Sequence, residues 1–196
     1  MDVVRVDIDS WGKRHGTMSH KIHDVVSLFG SGGQHWVAGG AVRSFLLGAS
    51  LSTDVDVFFR DEQSHDEFLK QHCTGRRHSS NHVTTWTMSI GGDEVKVQAI
   101  RIGWYADATA LIDSFDYTIC QAAIDDGSVV TTPTALWDIA SRRLAIHKVT
   151  YPIATVNRLV KYRMQGFGSC KGTISDILAA VVSLPSLMSS DIAYVD

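Results

Sequence analysis

Cysteine is scarce in this chain of 196 residues: Cys73, Cys120 and Cys170 are odd in number and widely scattered. Their spacing gives neither a disulfide framework nor a metal-binding pair, and a reducing cytoplasm is the expected compartment. Positive charge is scarce too. Eighteen Lys and Arg stand against 21 Asp and Glu, for a net charge of −3 and a pI near 6.3. That balance argues against a protein that coats nucleic acid without specificity, although a local basic patch survives an acidic average. No apolar run reaches the roughly 18 residues of a membrane span, and no secretory leader precedes the first elements, so neither membrane insertion nor secretion is expected. There is no internal repeat and no low-complexity tract. The nine histidines show no His-x₃-His spacing, so no zinc site is expected. Four of them, His65, His72, His78 and His82, sit in a polar stretch and are expected at the surface.

What is present suits one domain with a proper core: 44% of the residues are apolar, enough for a single unit with a small helical appendage. Period-two runs predict strands at Val3–Ile8, Val83–Ile90, Glu94–Ile102 and Tyr117–Ile124. Gly91-Gly92 predicts a hairpin between the second and third of these, and Asp126-Gly127 a turn into Val129-Val130. Helical spacing over His20–Leu28 puts Ile22, Val25, Val26 and Phe29 on one face, with Ser31-Gly-Gly33 as its end. Further helices are predicted from His65 to His72 with Ser64 as cap, at 106–113, and from Pro133. A short strand is expected over Leu144–Ile146. Helices over Ala154–Gln165 and Thr173–Ser183, the latter broken by Pro185, close the chain. Trp104, Tyr105, Trp137, Met88 and Met164 are expected in the core. The apolar face of the last helix, with Ile174, Ile177, Leu178, Val181 and Val182, is expected to pack on the rest or to dimerise. The predicted class is α+β, a mixed sheet flanked by helices, with one unit over 1–151 and a helical segment over 152–196.

The most informative stretch is Val37-Ala-Gly-Gly-Ala-Val-Arg-Ser-Phe-Leu-Leu-Gly48 followed by Thr53-Asp-Val-Asp-Val-Phe-Phe59. It reads as a Gly-Gly turn opening a short helix, a loop, and a strand with carboxylates at i and i+2. Residues at that spacing on a strand face the same way. Asp54 and Asp56 therefore converge, and two adjacent carboxylates repel unless a cation lies between them. Mg²⁺ is the natural candidate, because it takes oxygen ligands from one or two carboxylates plus substrate phosphates. Gly39 and Gly40, at the start of a helix, are suited to close approach by a phosphate. Metal on one side and phosphate on the other point to nucleoside triphosphate chemistry.

This segment resembles the Gly-Gly-x-Val-Arg … Asp-x-Asp signature of the polymerase-beta-type nucleotidyltransferases, most closely the branch of tRNA CCA-adding enzymes and bacterial poly(A) polymerases. Two further stretches are similar to motifs of that family in the same order: Ser114-Phe-Asp-Tyr-Thr-Ile-Cys-Gln-Ala-Ala-Ile124, and Thr155-Val-Asn-Arg-Leu-Val-Lys-Tyr-Arg-Met-Gln-Gly-Phe167. The resemblance implies a nucleotidyltransferase head followed by a neck-like helical segment. It implies two Mg²⁺ ions on Asp54 and Asp56, a triphosphate held by Gly39, Gly40 and Arg43, and a nucleotide sugar near Asp116. Arg158 and Lys161 are then expected near base or phosphate. The implied reaction moves a nucleoside monophosphate from an NTP to an acceptor hydroxyl, an RNA 3′ end before a protein hydroxyl.

Several positions depart from the pattern. Ser44 stands where an Asp is expected after Arg43, and Ser114-Phe115 replace a pair of arginines. Lys96 occupies the place of a frequent third carboxylate, with Gln98 and Glu94 on the same strand face and Glu94 a possible substitute. No base-selecting Glu-Asp-x-x-Arg motif is present, so nucleotide preference is not inherited. These losses keep open a module that retains the fold without turnover. Trp104-Tyr105 and Trp137 are alternatively surfaces on which a base stacks. Divalent-ion dependence separates the readings, because only a working site needs both Asp54 and Asp56.

Overall fold

The computed structural model describes residues 1–15, 20–29, 33–49 and 54–184. The Ser31-Gly32 helix end, Thr53, Pro185 and the remainder of the 152–196 segment lie outside the described residues. The architecture is α+β: one eight-stranded mixed sheet with helices packed against it. In chain order the first elements are β1 (Val4–Asp7), α1 (Ile8–His15), α2 (His20–Phe29), β2 (His35–Ala38), α3 (Gly40–Leu46), β3 (Val55–Phe59) and α4 (Glu62–His72). Next come β4 (Arg77–Ser79), β5 (Val83–Ile90), β6 (Asp93–Trp104), α5 (Ala108–Asp113), β7 (Ala122–Asp125), β8 (Ser128–Thr131) and α6 (Pro133–Ala140). The chain continues through β9 (Arg143–Leu144), α7 (Pro152–Met164), β10 (Gly168–Ser169) and α8 (Lys171–Val182). The strand order is β1-β8-β7-β2-β3-β6-β5-β4, while β9 and β10 form a separate small pair. Only β3–β6 is parallel within the large sheet, and the chain between them carries α4, β4 and β5, as a parallel crossover requires.

The pleat divides the core in two. Val37, Val55, Val57 and Phe59 point to the larger cluster, beneath α2, α3 and α4, which Tyr162, Phe167 and Ile177 of the C-terminal segment join. Trp36, Ala38, Phe58 and Ile100 point the other way, to a smaller cluster closed by Leu111 and Ile112 of α5. Asp54 and Asp56 share the alternation of Phe58 and so belong to this second face.

Several local expectations are met and others are corrected. The β5–β6 hairpin turns on Gly91 and Gly92, both with positive φ, the requirement of a type I′ turn. The stretch predicted as a strand from Tyr117 is a 3₁₀ turn over Thr118–Cys120, and β7 starts only at Ala122. The strand predicted over Val3–Ile8 gives way at Ile8 to α1, whose first turn is capped by Asp7 accepting from the Ser10 N–H at 2.8 Å. Helix α4 is capped by Asp61, which accepts from the Ser64 N–H, so Ser64 is inside the helix and not its cap.

The surface expectation for histidines holds for His78 and His82 but not for His65, which is buried beside Phe59, or His72, packed on Phe68. Trp104, Trp137 and Met164 are exposed, not core. On α8 only Ile177 is buried from the apolar face, while Ile174, Leu178 and Val182 are exposed. Among the described residues no helix is long and apolar enough to cross a membrane.

Candidate active site

Gly39 follows β2 and caps α3 with φ 77° and ψ −126°, a backbone conformation open to glycine and strained for other residues. A Cβ built there would lie 3.8 Å from Asp56 Oδ2, so the Gly-Gly turn and the carboxylate are immediate neighbours. The cause is register: Ala38 on β2 pairs with Asp56 on β3. The Gly39 N–H itself is donated to the Ala122 carbonyl at 3.1 Å. It is thus not offered to a ligand as expected, and what Gly39 supplies is the turn and the empty space above it.

Beside this turn lies a cleft of about 350 Å³, within the size range of small-molecule sites. Every sequence-predicted site residue lines it: Gly39, Gly40, Arg43, Asp54, Asp56, Asp116, Arg158 and Lys161. Its walls have two characters. Phe58, Ile102, Tyr105, Phe115 and Tyr151 form an apolar side, with Phe115 edge-on to Phe58 at 5.6 Å between ring centroids. The charged side carries the carboxylates and lysines.

Asp54 lies immediately before β3, and Lys96 donates to its Oδ2 at 2.6 Å. The parallel register explains the pairing: Val55 lies beside Val97 and Asp56 beside Gln98, so Lys96 stands next to Asp54. Asp56 keeps some surface open to the cleft, yet the protein around its carboxylate, and then the charge of Asp54, push its pKa up to about 8. Lys161, Lys96 and Arg158 oppose that rise without cancelling it. A cation beside the pair would offset the Asp54 charge and favour the ionised form of Asp56. Glu94 is exposed on the part of β6 beyond the start of β3. Among the described residues no three His, Cys, Asp or Glu gather to hold a metal, so Glu94 does not substitute for a third carboxylate here. Two carboxylates nonetheless fit a Mg²⁺ ion that arrives already bound to phosphates, since that ion draws only one or two ligands from protein.

The other side of the cleft is occupied by hydrogen bonds. Asp116 is buried; its Oδ2 accepts from Arg158 at 2.8 Å and from the Thr155 hydroxyl at 3.0 Å, and its Oδ1 from the Tyr117 N–H at 2.9 Å. Arg43, expected to pair with phosphates, is buried instead against α7. Its guanidinium donates to Gln165 Oε1 at 3.1 Å and lies over the Tyr162 ring, 4.9 Å from the centroid. The sulfur of Cys120 lies 3.0 Å from the Tyr162 hydroxyl, and burial pushes its thiol pKa up, so it is a packing group and not a ready nucleophile. Sequence reasoning missed the anchoring role of Thr155 and the Lys96–Asp54 pair. The first had a signal, since Thr155, Arg158 and Tyr162 share one face of α7 at i, i+3 and i+7. Lys96 was visible as a departure, but its partner depended on the strand register.

A Gly-turn beside two strand carboxylates, on a mixed sheet with a helical wall, defines a protein with a nucleotidyltransferase-like fold. Solved structures agree. A CCA-adding enzyme in complex with CTP superimposes with a TM-score of 0.66 at 16% identity, over 93% of this chain and 46% of that one. The complex of a CCA-adding enzyme with ATP gives 0.64 at 18% identity, over 93% and 47%. At the sequence level, the family model of the Gabija anti-defense 2 (Gad2) proteins matches residues 13–142, about two thirds of the chain. The chain belongs to the Gabija anti-defense 2 family. A curated relative, Gabija anti-defense 2 of Bacillus phage SPbetaL7, is 28% identical over 129 residues, covering 64% of this chain and 32% of that protein. The chain therefore spans about a third of the length of that phage protein and just under half that of the solved enzymes.

Proposed function

We propose that this protein is a metal-dependent nucleotidyltransferase. It would move a nucleoside monophosphate from an NTP to an acceptor hydroxyl with release of pyrophosphate, in the service of the anti-defense role that its family name carries. The observation that carries this reading is the convergence of Asp54 and Asp56 on one strand face beside the open Gly39 turn. Asp54 and Asp56 would hold Mg²⁺ that arrives with the triphosphate. When bound, that ion neutralises the phosphates and lowers the pKa of the acceptor hydroxyl. The turn at Gly39-Gly40 leaves room for the phosphates, Lys161 supplies positive charge from α7, and the Phe115, Tyr105 and Tyr151 side gives the base an apolar surface. Asp116 and Arg158, by hydrogen-bonding each other, fix the position of α7 along the cleft; Arg43 does the same from α3. In this scheme 1–151 acts as the catalytic head and 152–196 as a neck-like segment. An RNA 3′ end is the first acceptor class by resemblance, and a protein hydroxyl the second.

A different reading, a nucleotide-binding module without turnover, is favoured by one specific observation: Lys96 already engages Asp54. The two are separated by thermal melts with each of the four NTPs, with and without Mg²⁺, on the wild type and Asp54→Asn/Asp56→Asn. A ligand at about a hundred times its dissociation constant adds about 2.7 kcal/mol of stability. A Mg²⁺-dependent shift absent from the variant, followed by transfer of labelled nucleotide to an oligoribonucleotide or to protein, supports the transferase. A shift that survives without Mg²⁺ and in the variant supports the silent module. No shift with any NTP removes the nucleotide chemistry altogether.

A further inference from the structure

We infer that Lys96 is a tethered cation occupying one of the positive positions beside the carboxylate pair, so that it excludes one divalent ion from the site. This rests on the nucleotide-site reading above and deepens it. Three features carry it. Lys96 Nζ donates to Asp54 Oδ2 at 2.6 Å, so one carboxylate oxygen of the pair is already engaged by a positive charge. Its position is imposed by the backbone, because the β3–β6 register sets residue 96 next to residue 54; the contact does not depend on a chance encounter of surface side chains. Charge points the same way. Lys96 from β6 is paired with Asp54, and Lys161 from α7 lines the cleft with both carboxylates and acts on Asp56. Asp54 is thus already balanced by an ammonium before any metal arrives. One ion entering with a triphosphate brings its own compensating anion, whereas an additional ion must first displace the Lys96 ammonium from Asp54.

Lys96 is accordingly a specificity residue for metal number. It also keeps Asp54 in place in the free protein. Replacing it with Gln removes the charge and supplies no carboxylate; replacing it with Glu supplies a third carboxylate at a position already aimed at the pair.

The test is Mn²⁺ binding to the full chain, counted by electron paramagnetic resonance without nucleotide and with a non-hydrolysable NTP analogue, on wild type, Lys96→Glu and Lys96→Gln. Lys96 is half exposed, and thermal melts verify that each variant is folded. The expected result is one more Mn²⁺ per chain in Lys96→Glu than in wild type. In Lys96→Gln binding tightens by about tenfold or more, the effect of removing one charge at contact distance in a partly exposed site. Equal counts in wild type and Lys96→Glu, together with unchanged affinity in Lys96→Gln, overturn the assignment of Lys96 while leaving the metal-dependent transferase standing. Absence of Mn²⁺ from all three proteins, with the NTP analogue as well as without it, overturns both, because Asp54 and Asp56 then hold no ion even when one enters with a triphosphate and the lysine is gone.

Discussion

The two sides of the cleft handle charge in opposite ways. On the α7 side every charge has a close protein partner: Asp116 has Arg158, Thr155 and the Tyr117 amide, and Arg43 has Gln165 and the Tyr162 ring. On the β3 side Asp54 is paired with Lys96, yet burial and the charge of Asp54 still raise the pKa of the neighbouring Asp56 to about 8. A buried polar network with good partners supports the fold. A like-charged pair works against it, and persists where a ligand relieves the repulsion. The difference separates scaffold from chemistry more sharply than lining the cleft does, since residues of both kinds line it. It also redistributes the roles inferred from sequence: Arg43, Asp116 and Arg158 hold α3 and α7 against the sheet, and in the proposed scheme Asp54 and Asp56 meet the ligand.

The comparison breaks most visibly in activity. Asp56→Asn should abolish Mg²⁺-dependent nucleotide transfer, by more than the ~10–100-fold typical of losing a mere supporting partner of a metal site. The same variant should melt no lower than wild type, because it removes the repulsion. Assaying transfer and melting temperature side by side checks this; a large loss of stability would mean Asp56 belongs with the scaffold.

Asp116→Ala should do the reverse on stability. It leaves Arg158 in a largely buried position without its carboxylate, a loss of about 3–5 kcal/mol. For a chain of this size that lowers the melting temperature by roughly 2–4 °C per kcal/mol. An unchanged melting temperature would show that the network is not structural. Gly39→Ala sits between the two sides. Its positive φ makes the change cost about 1–3 kcal/mol, read in a denaturant melt, with nucleotide affinity falling further because the turn is filled.

The pH dependence gives a smaller but signed test. The Asp56 pKa is raised from 3.8 to about 8 on folding. Between these values the folded state holds a proton the unfolded state has released, so this group's contribution to stability declines as pH rises from about 4 to about 8. His35 and His72 act oppositely: burial lowers both from 6.5, so below that value the unfolded state binds more protons and stability falls with falling pH. Melts across pH 4–9 should therefore show loss on both flanks, and Asp56→Asn should flatten the alkaline one alone. Least of all, Lys96→Gln should change metal-free stability by no more than about 1 kcal/mol, the usual scale of an exposed ion pair. A drop of several kcal/mol in its denaturant melt would move Lys96 to the scaffold.

How much was legible in advance depended on the range of the deciding interaction. The Gly91-Gly92 hairpin and the Gly39 turn could be read because backbone φ is a local demand that glycine meets. The i, i+2 carboxylates could be read because strand pleating is local geometry. The caps of α1 and α4 were present as Asp7 and Asp61 three residues before Ser10 and Ser64, but Ser64 was taken for the cap because the helix was expected to start later. The 3₁₀ turn at Thr118–Cys120 defeated a period-two reading: its apolar residues are buried by α6, α3 and β9 on several sides, and a segment buried all round has no alternation to read.

By itself, then, the chain determined an α+β fold, a Gly-Gly turn, and a pair of carboxylates that must face the same way. These follow from backbone propensity and from repeats of two and three to four residues, which each segment carries within itself. Only the tertiary structure decided what surrounds the pair. Lys96 meets Asp54 through a parallel register spanning 42 residues of sequence, Asp116 is drawn onto α7, and Arg43 lies against Tyr162 and Gln165. Partner choice at such separations depends on which surfaces the folded chain brings within a few ångströms, and no local pattern encodes that.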